Sequence, residues 1–94
     1  MNLLRDASLD ALTAFAEFAE DGNFSRAAIR LHISQPALHA KVAKLASAVG
    51  TPLNVRRGRS IEITEAGRRL QRLARDIAAS VVSFQDELRE RETA

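Results

Sequence analysis

Apolar residues in the first half of the chain recur at the spacing of amphipathic helices. Leu9, Leu12 and Phe15 lie on one stripe, and Ser8 before them is a good N-cap. Gly22 suits the left-handed position after a helix C-terminus. The pattern therefore predicts a first helix over Ser8 to Asp21.

A second, shorter helix is predicted to begin at Ser25, which is an N-cap candidate. Phe24 and Ile29 flank that cap at the spacing of a hydrophobic staple. The helical pattern breaks at His32 and Ile33, so we expect a tight turn there.

A third helix is predicted from the N-cap Ser34 to about Val49. Pro36 falls in its first turn, where a missing N–H costs nothing, and Gly50 ends it. Two short helices joined by a tight turn form a helix-turn-helix, here over about 24–43.

Alternation with a period of two replaces the helical spacing further along the chain. Leu53 and Val55 share one predicted strand face, and the basic tip at 57–59 separates them from a second alternating run. This pattern predicts a β-hairpin over about 53–63, the wing of a winged helix.

The last segment is predicted to be one helix over 65–92, capped by Thr64 and about 40 Å long at 1.5 Å per residue. Its apolar residues follow a heptad spacing that a single small core cannot cover, so we expect a homodimer through this helix. The predicted dimer residues are Leu70, Ala74, Ile77, Val81, Phe84 and Leu88.

Together these elements predict a mainly α fold. A winged helix-turn-helix domain over 7–64, with a three-helix core and a two-stranded wing, is followed by a dimerising linker helix over 65–92.

The charge distribution and the length of the chain limit the classes of function that it can have. The net charge of +2 averages −4 over residues 1–23, +9 over 24–75 and −3 over 76–94, and the positive block requires an anionic partner. With 94 residues, no Cys, no nucleophile–base constellation and no metal-ligand spacing, we expect no enzyme activity, metal or cofactor. We find neither a signal peptide nor a membrane span and expect a cytoplasmic protein.

Two short runs then point to a family. Phe-Ser-Arg-Ala-Ala at 24–28 and Ser-Gln-Pro-Ala-Leu at 34–38 resemble the N-terminal signature of LysR-type transcriptional regulators. The resemblance covers about residues 9–67. Further residues stand where the family pattern expects them: Leu31, Leu45, Gly50, Pro52, Leu53, Arg56, Arg59, Ile63, Thr64, Ala66 and Gly67.

The resemblance implies a winged helix-turn-helix that binds a promoter as a dimer or tetramer, with antiparallel linker helices. In that family a large C-terminal domain binds a small effector, and the 94 residues hold no counterpart of it. Four positions depart from the pattern. His39 and Ala40 replace a common Ser/Thr-Arg pair, Ala46 a frequent Glu, and Asn54 the usual Phe or Leu, which predicts looser packing of the wing.

On the third helix, Gln35 is predicted to contact adenine and His39 guanine, while the small Ala40 and Ala43 let the backbone approach the bases. Lys41 and Lys44 are expected on phosphates, and the wing arginines in a minor groove. The predicted DNA contacts are Ser25, Ser34, Gln35, Pro36, His39, Ala40, Lys41, Lys44, Arg56, Arg57 and Arg59.

Simpler roles remain open at several of these positions. Ser34 and Gln35 can be helix caps alone, and His39 can be a solvated surface residue. The arginines over 68–75 are more simply a solvated helix face. The competing function is a winged-helix module for protein interaction or dimerisation, without specific DNA binding.

Overall fold

The computed structural model describes residues 2–93 and is mainly helical with one antiparallel hairpin, which confirms the predicted winged helix-turn-helix with a long final helix. Its elements are α1 (Leu3–Asp6), α2 (Leu9–Ala19), α3 (Phe24–Leu31), α4 (Gln35–Val49), β1 (Asn54–Arg57), β2 (Ser60–Ile63) and α5 (Glu65–Thr93).

Three predicted N-caps are confirmed by their hydrogen bonds. The hydroxyl of Ser8 accepts from the backbone N–H of Ala11 at 3.0 Å, and that of Ser34 accepts from Ala37 at 3.1 Å. The Thr64 hydroxyl accepts from the Gly67 N–H at 3.0 Å. Side-chain oxygens thus satisfy backbone donors that have no partner within α2, α4 and α5.

The predicted start of α3 is wrong. Its N-cap is Asn23, whose Oδ1 accepts from the Arg26 N–H at 2.9 Å, and Ser25 lies inside the first turn. Asn and Ser are about equally good caps, so propensity alone does not separate them. Ile29 is 72% exposed, so the hydrophobic staple with Phe24 does not form.

The turn between α3 and α4 depends on His32, which was predicted to lie there. His32 adopts the left-handed conformation with φ +57°, and the next N–H, that of Ile33, donates to the Ala28 carbonyl at 3.1 Å. Ala28 and its neighbour Ala27 are buried, and their small side chains let α3 pack closely on α4.

One element, α1, was not predicted. It is a single turn capped by Asn2, whose Oδ1 accepts from the Arg5 N–H at 3.2 Å, and it packs against α4. Four residues are too few to show helical periodicity in a sequence.

The core forms around α2, which packs against α3, α4 and α5. Its side chains Phe15 and Phe18 are fully buried, together with Leu38 and Leu45 of α4 and Leu53 at the base of the wing. Phe15, Leu38 and Leu45 lie on the apolar stripes predicted for the first and third helices, whereas Leu9, which was placed on the first stripe, is 55% exposed.

The wing follows the predicted strands but not the predicted faces. In the antiparallel pairing of β1 with β2, Arg56 lies opposite Ile61, and Val55 lies opposite Glu62 on the outer face. Val55 is therefore exposed, whereas Leu53 precedes β1 and is buried. The prediction that Leu53 and Val55 share one strand face is wrong because β1 begins only after Leu53.

The base of the wing and the start of α5 touch. A Cβ on Gly67 would lie 2.2 Å from the carbonyl oxygen of Leu53 and 2.7 Å from Cγ2 of Ile63. The Thr64 hydroxyl also donates to the Pro52 carbonyl at 2.8 Å. Only a residue without a side chain allows this contact, which fixes the angle between the wing and α5.

The predicted dimer seam divides into two parts. Leu70 and Ala74 are buried in the protein's own core, where the first half of α5 packs on α2, so they are not part of an exposed seam. Beyond the core, Val81, Phe84 and Leu88 are exposed. The heptad spacing is the same in both halves, so it does not distinguish an internal contact from an external one.

Two side chains of α5 complete the C-terminus of α2. The carbonyl of Ala16 accepts from Gln71 at 3.2 Å and that of Ala19 accepts from Arg68 at 2.8 Å. These carbonyls lie in the last turns of α2, where intrahelical partners are lacking. Arg68 therefore orients α5 on α2, and the prediction of a merely solvated arginine face is wrong for this residue.

Within residues 2–93, no helix combines the length and hydropathy needed to span a membrane.

We predict that Gly67→Ala destabilises the protein by about 1–3 kcal/mol, because the added methyl group overpacks the Leu53 contact. In an open helix the same change would stabilise by about 0.8–1 kcal/mol. Urea unfolding measures the difference. Ser80→Ala on the exposed part of α5 is the matched control and should be neutral or slightly stabilising. A stabilised Gly67→Ala variant would contradict the close contact.

Candidate nucleic-acid interface

A cleft of about 430 Å³ lies between the N-terminal end of α4 and the wing. Gln35 and His39 line it from α4, and Arg56 and Arg59 line it from the wing. Four residues predicted to contact DNA therefore line the same cleft. In sequence they are up to 24 positions apart. The cleft is polar and open to solvent.

The N-terminal end of α4 presents free polar groups toward this side. The Gln35 side chain is exposed and has no hydrogen-bond partner among the described residues. Ser34 is also exposed, and its hydroxyl oxygen caps α4 while its hydrogen finds no acceptor within residues 2–93. Capping therefore leaves Ser34 able to donate one more hydrogen bond. Pro36 follows in the first turn, as predicted.

An aromatic column ends at His39. The Phe18 and Phe24 rings stack with centroids 4.0 Å apart, and the Phe24 and His39 rings stack at 3.7 Å with a 21° angle between their planes. Phe18 is fully buried, Phe24 half-buried and His39 exposed. The column thus runs from the core to the cleft and restrains the orientation of the imidazole, a contact that the sequence did not indicate.

Most bases of the positive block are paired within the protein. Six of them lie within 4.0 Å of a carboxylate: Arg26, Arg30, Lys41, Arg57, Arg69 and Arg75. The acidic partners of Arg26, Arg30 and Arg75 are in or just after α2. The Arg30 guanidinium contacts Glu17 at 2.6 Å, and this hydrogen bond raises the pKa of Arg30 above its ordinary value.

Two residues predicted to contact DNA are among these pairs. Lys41 is paired with Asp10 of α2, and Arg57 is paired with Glu62 across the wing at 2.7 Å. Among the described residues, Lys44, Arg56, Arg59 and Arg72 have no ion pair. The uncompensated positive charge at the cleft therefore comes from Arg56 and Arg59.

Not every predicted residue lines this cleft. Ser25 is exposed in the first turn of α3 but does not border it. Lys44 lies on the other side of α4, where it borders a smaller cavity beside α1. The structure thus brings Gln35, His39, Arg56 and Arg59 together and leaves the remaining candidates around them.

Three of the departures from the family pattern, at His39, Ala46 and Asn54, line a neighbouring cleft of about 260 Å³. Ala46 of α4 and Asn54 of β1 both line it, with Ala43 and Arg56. Small side chains at Ala43 and Ala46 and a polar one at Asn54 leave this groove between α4 and the wing unfilled. Ala40 is exposed nearby on α4.

A helix-turn-helix whose second helix faces a wing across a basic cleft defines a winged helix-turn-helix protein. Residues 9–68 match the family described as bacterial regulatory helix-turn-helix proteins of the lysR family. This match includes α2, α3, α4 and the wing. The chain therefore belongs to the LysR family.

Three relatives illustrate the likeness. The chain is 40% identical over 85 residues to a RuBisCO operon transcriptional regulator of Acidithiobacillus ferrooxidans, covering 90% of this chain. It matches a complex of the BenM DNA-binding domain with benA site 1 DNA at 25% identity and TM-score 0.81, covering 88% of this chain and 96% of that one. It also matches DarR of Vibrio fischeri in complex with DNA at 25% identity and TM-score 0.80. This match covers 93% of this chain and 30% of the DarR chain.

The chain spans only part of its longer relatives. It covers 28% of the Acidithiobacillus regulator and 27% of the transcriptional activator CmpR of Synechocystis, to which it is 33% identical. The family model ends at residue 68, shortly after α5 begins, and does not include α1.

We predict that Phe24→Leu releases the His39 ring, whereas Phe24→Tyr keeps it in place, because stacking requires an aromatic face. In proton NMR spectra, the His39 ring protons should lose their ring-current shift in the leucine variant only. His32, which stacks on no ring, is the internal reference. Unchanged His39 signals in Phe24→Leu would contradict the stacked column.

Proposed function

We propose that this chain binds double-stranded DNA sequence-specifically as a homodimer and thereby regulates transcription. The observation that carries the proposal is the cleft, where an open helix N-terminus with a free Gln35 amide faces the unpaired Arg56 and Arg59. The relatives solved with DNA support it by sharing the fold.

In this proposal α4 enters the major groove, which is about 12 Å wide and admits a helix. Gln35 contacts a base edge, with adenine as the bidentate partner, and His39 contacts a second base in the orientation set by Phe24. Pro36 and Ala40 add no bulk, so the backbone can approach the bases closely.

Phosphate contacts fix the protein's position on the duplex. Ser34 has a hydroxyl hydrogen to donate beside the N-terminus of α4, where the helix dipole favours negative charge. Ser25 and Lys44 provide exposed groups on either side. Lys41 must exchange Asp10 for phosphate, which costs little because exposed pairs contribute only about 0–1 kcal/mol.

The wing supplies the second contact region. Arg56 and Arg59 are free of ion pairs in the described chain and face the same cleft as Gln35. Arginines inserted into a narrow minor groove gain from its negative potential. Arg57 joins them after leaving Glu62, another exposed pair.

Dimerisation through α5 follows from its exposed apolar end and its charge distribution. Residues 65–75 carry four Arg and one Glu, and residues 76–92 carry five acidic residues and two Arg. Antiparallel pairing places the positive half of one helix beside the negative half of the other, whereas parallel pairing would place like charges together. Ile77, Val81, Phe84 and Leu88 form the contact.

We further infer that a small-molecule effector would act through a region outside these 94 residues, as the family resemblance implies. A DNA-binding role places the protein in the cytoplasm and requires no catalytic group. The alternative is an interaction module without DNA binding. It provides no anionic partner for Arg56 and Arg59, which line the cleft and have no ion pair among the described residues.

The first test uses duplexes selected from a random pool to obtain a preferred site. Gln35→Ala should weaken binding to that site by about 1–3 kcal/mol and leave binding to unrelated DNA nearly unchanged, because a base contact carries sequence information. Fluorescence anisotropy measures both affinities. Equal losses on the two duplexes would exclude a base contact by Gln35.

Lys44→Ala is the matched variant for a phosphate contact. It should weaken all duplexes alike and reduce the slope of log affinity against log salt by about one. An unchanged slope would remove Lys44 from the phosphate contacts. If the unmodified protein binds no duplex at any salt concentration, the interaction module replaces the proposed function.

A further prediction concerns the dimer. Ile77→Asp combined with Phe84→Asp should yield monomers in light scattering, because charges would be buried between the helices. Val55→Asp, at an exposed apolar site on the wing, is the control and should remain dimeric. A dimer that survives the double substitution would place the interface elsewhere.

A further inference from the structure

An apolar cleft of about 450 Å³ lies where α1, the start of α2 and the middle of α5 meet. Leu3 and Leu4 of α1 line one side, Leu9 borders it from α2, and Leu73 and Ile77 line it from α5. Leu4 is 100% exposed and Leu9 is 55% exposed. Exposed leucines clustered around a concave surface are unusual in a protein that remains monomeric.

The cleft is continuous with the exposed end of α5. Leu73 and Ile77 lie on the same side of the helix as Val81 and Phe84 and lead from the cleft directly into that apolar stripe. Phe84 is 59% exposed and has no core beside it. One copy of the chain therefore carries both an apolar cavity and, about two helical turns further along α5, an aromatic side chain that nothing covers.

In a twofold dimer, the apolar cleft of one copy and the exposed Phe84 of the other could come into contact. In an isologous dimer, a residue that contacts a site on the partner also provides that site in return. An antiparallel pair of α5 helices with its axis near residue 80 sets Phe84 of one copy beside Leu73 and Ile77 of the other. The charge distribution of α5 favours this antiparallel direction.

We propose that α1 forms part of the dimer interface, where Leu4 closes the cleft over the partner's Phe84. This assignment deepens the proposed dimer. It gives a role to an element that precedes the residues matched by the family model, 9–68. The occupant is a second copy of this chain, since Leu73 and Ile77 of the cleft and the exposed Phe84 lie on the same face of α5.

Leu4→Asp should raise the dimer dissociation constant at least tenfold in sedimentation equilibrium. Ile29→Asp is the matched control, since Ile29 is also an exposed apolar residue but lies on α3 and borders none of the cleft. Leu4 is fully exposed in the single chain, so its replacement removes no internal contact and should leave circular dichroism unchanged.

A cross-linking experiment tests the contact directly, because the chain has no Cys of its own. A Leu4→Cys chain mixed with a tagged Phe84→Cys chain should form a mixed disulfide dimer under mild oxidation. Ile29→Cys mixed with the same tagged chain should form little or none.

The outcomes separate this inference from the proposed function. If Leu4→Asp leaves the dimer unchanged and no mixed disulfide forms, α1 is not in the interface. The proposed function would still stand if the Ile77 and Phe84 double variant is monomeric and the unmodified chain binds its selected DNA. If that double variant also remains dimeric, the proposed α5 interface and the role of α1 both fail.

Discussion

The geometry of the cleft between α4 and the wing depends on close backbone contacts to the wing. Gly67 brings α5 against the Leu53 carbonyl, and at Gly22, with φ +66°, a Cβ would lie 2.9 Å from the Ile61 carbonyl oxygen. The turn after α2 and the start of α5 therefore hold the two-stranded hairpin from two directions. Such a hairpin is marginally stable alone, so these contacts determine where Arg56 and Arg59 lie relative to α4.

The same packing decides which charges are available to a partner. The acidic residues of α2 and the turn after it engage Arg26, Arg30 and Arg75, while Arg68 completes the C-terminus of α2. The four acidic residues in α2 and just after it thus offset part of the net charge of +9 that residues 24–75 carry. Arg56 and Arg59, which have no ion pair among residues 2–93, line the same cleft as the exposed Gln35.

Sequence patterns predicted those features that depend on neighbouring residues. The caps Ser8, Ser34 and Thr64, the left-handed conformation of Gly22 and the hairpin all follow from local backbone requirements. The stacking of His39 on Phe24 could not be predicted, because it joins side chains from two helices at an angle that only the tertiary packing sets. The assignment of Leu70 and Ala74 failed for a related reason: a heptad pattern records an apolar stripe but not what covers it.

This divided stripe links folding to the proposed assembly. One continuous helix covers the protein's own core with its first half and leaves its second half exposed, where the proposed assembly would place another copy. Since Gly67 and Thr64 fix the start of α5 to the wing, the direction of the exposed half is fixed relative to α4 as well. In a twofold dimer, the distance between the two α4 helices is then a consequence of the α5 pairing. Because half-site spacing on DNA follows that distance, the contact at Gly67 would help to select the operator of the proposed dimer.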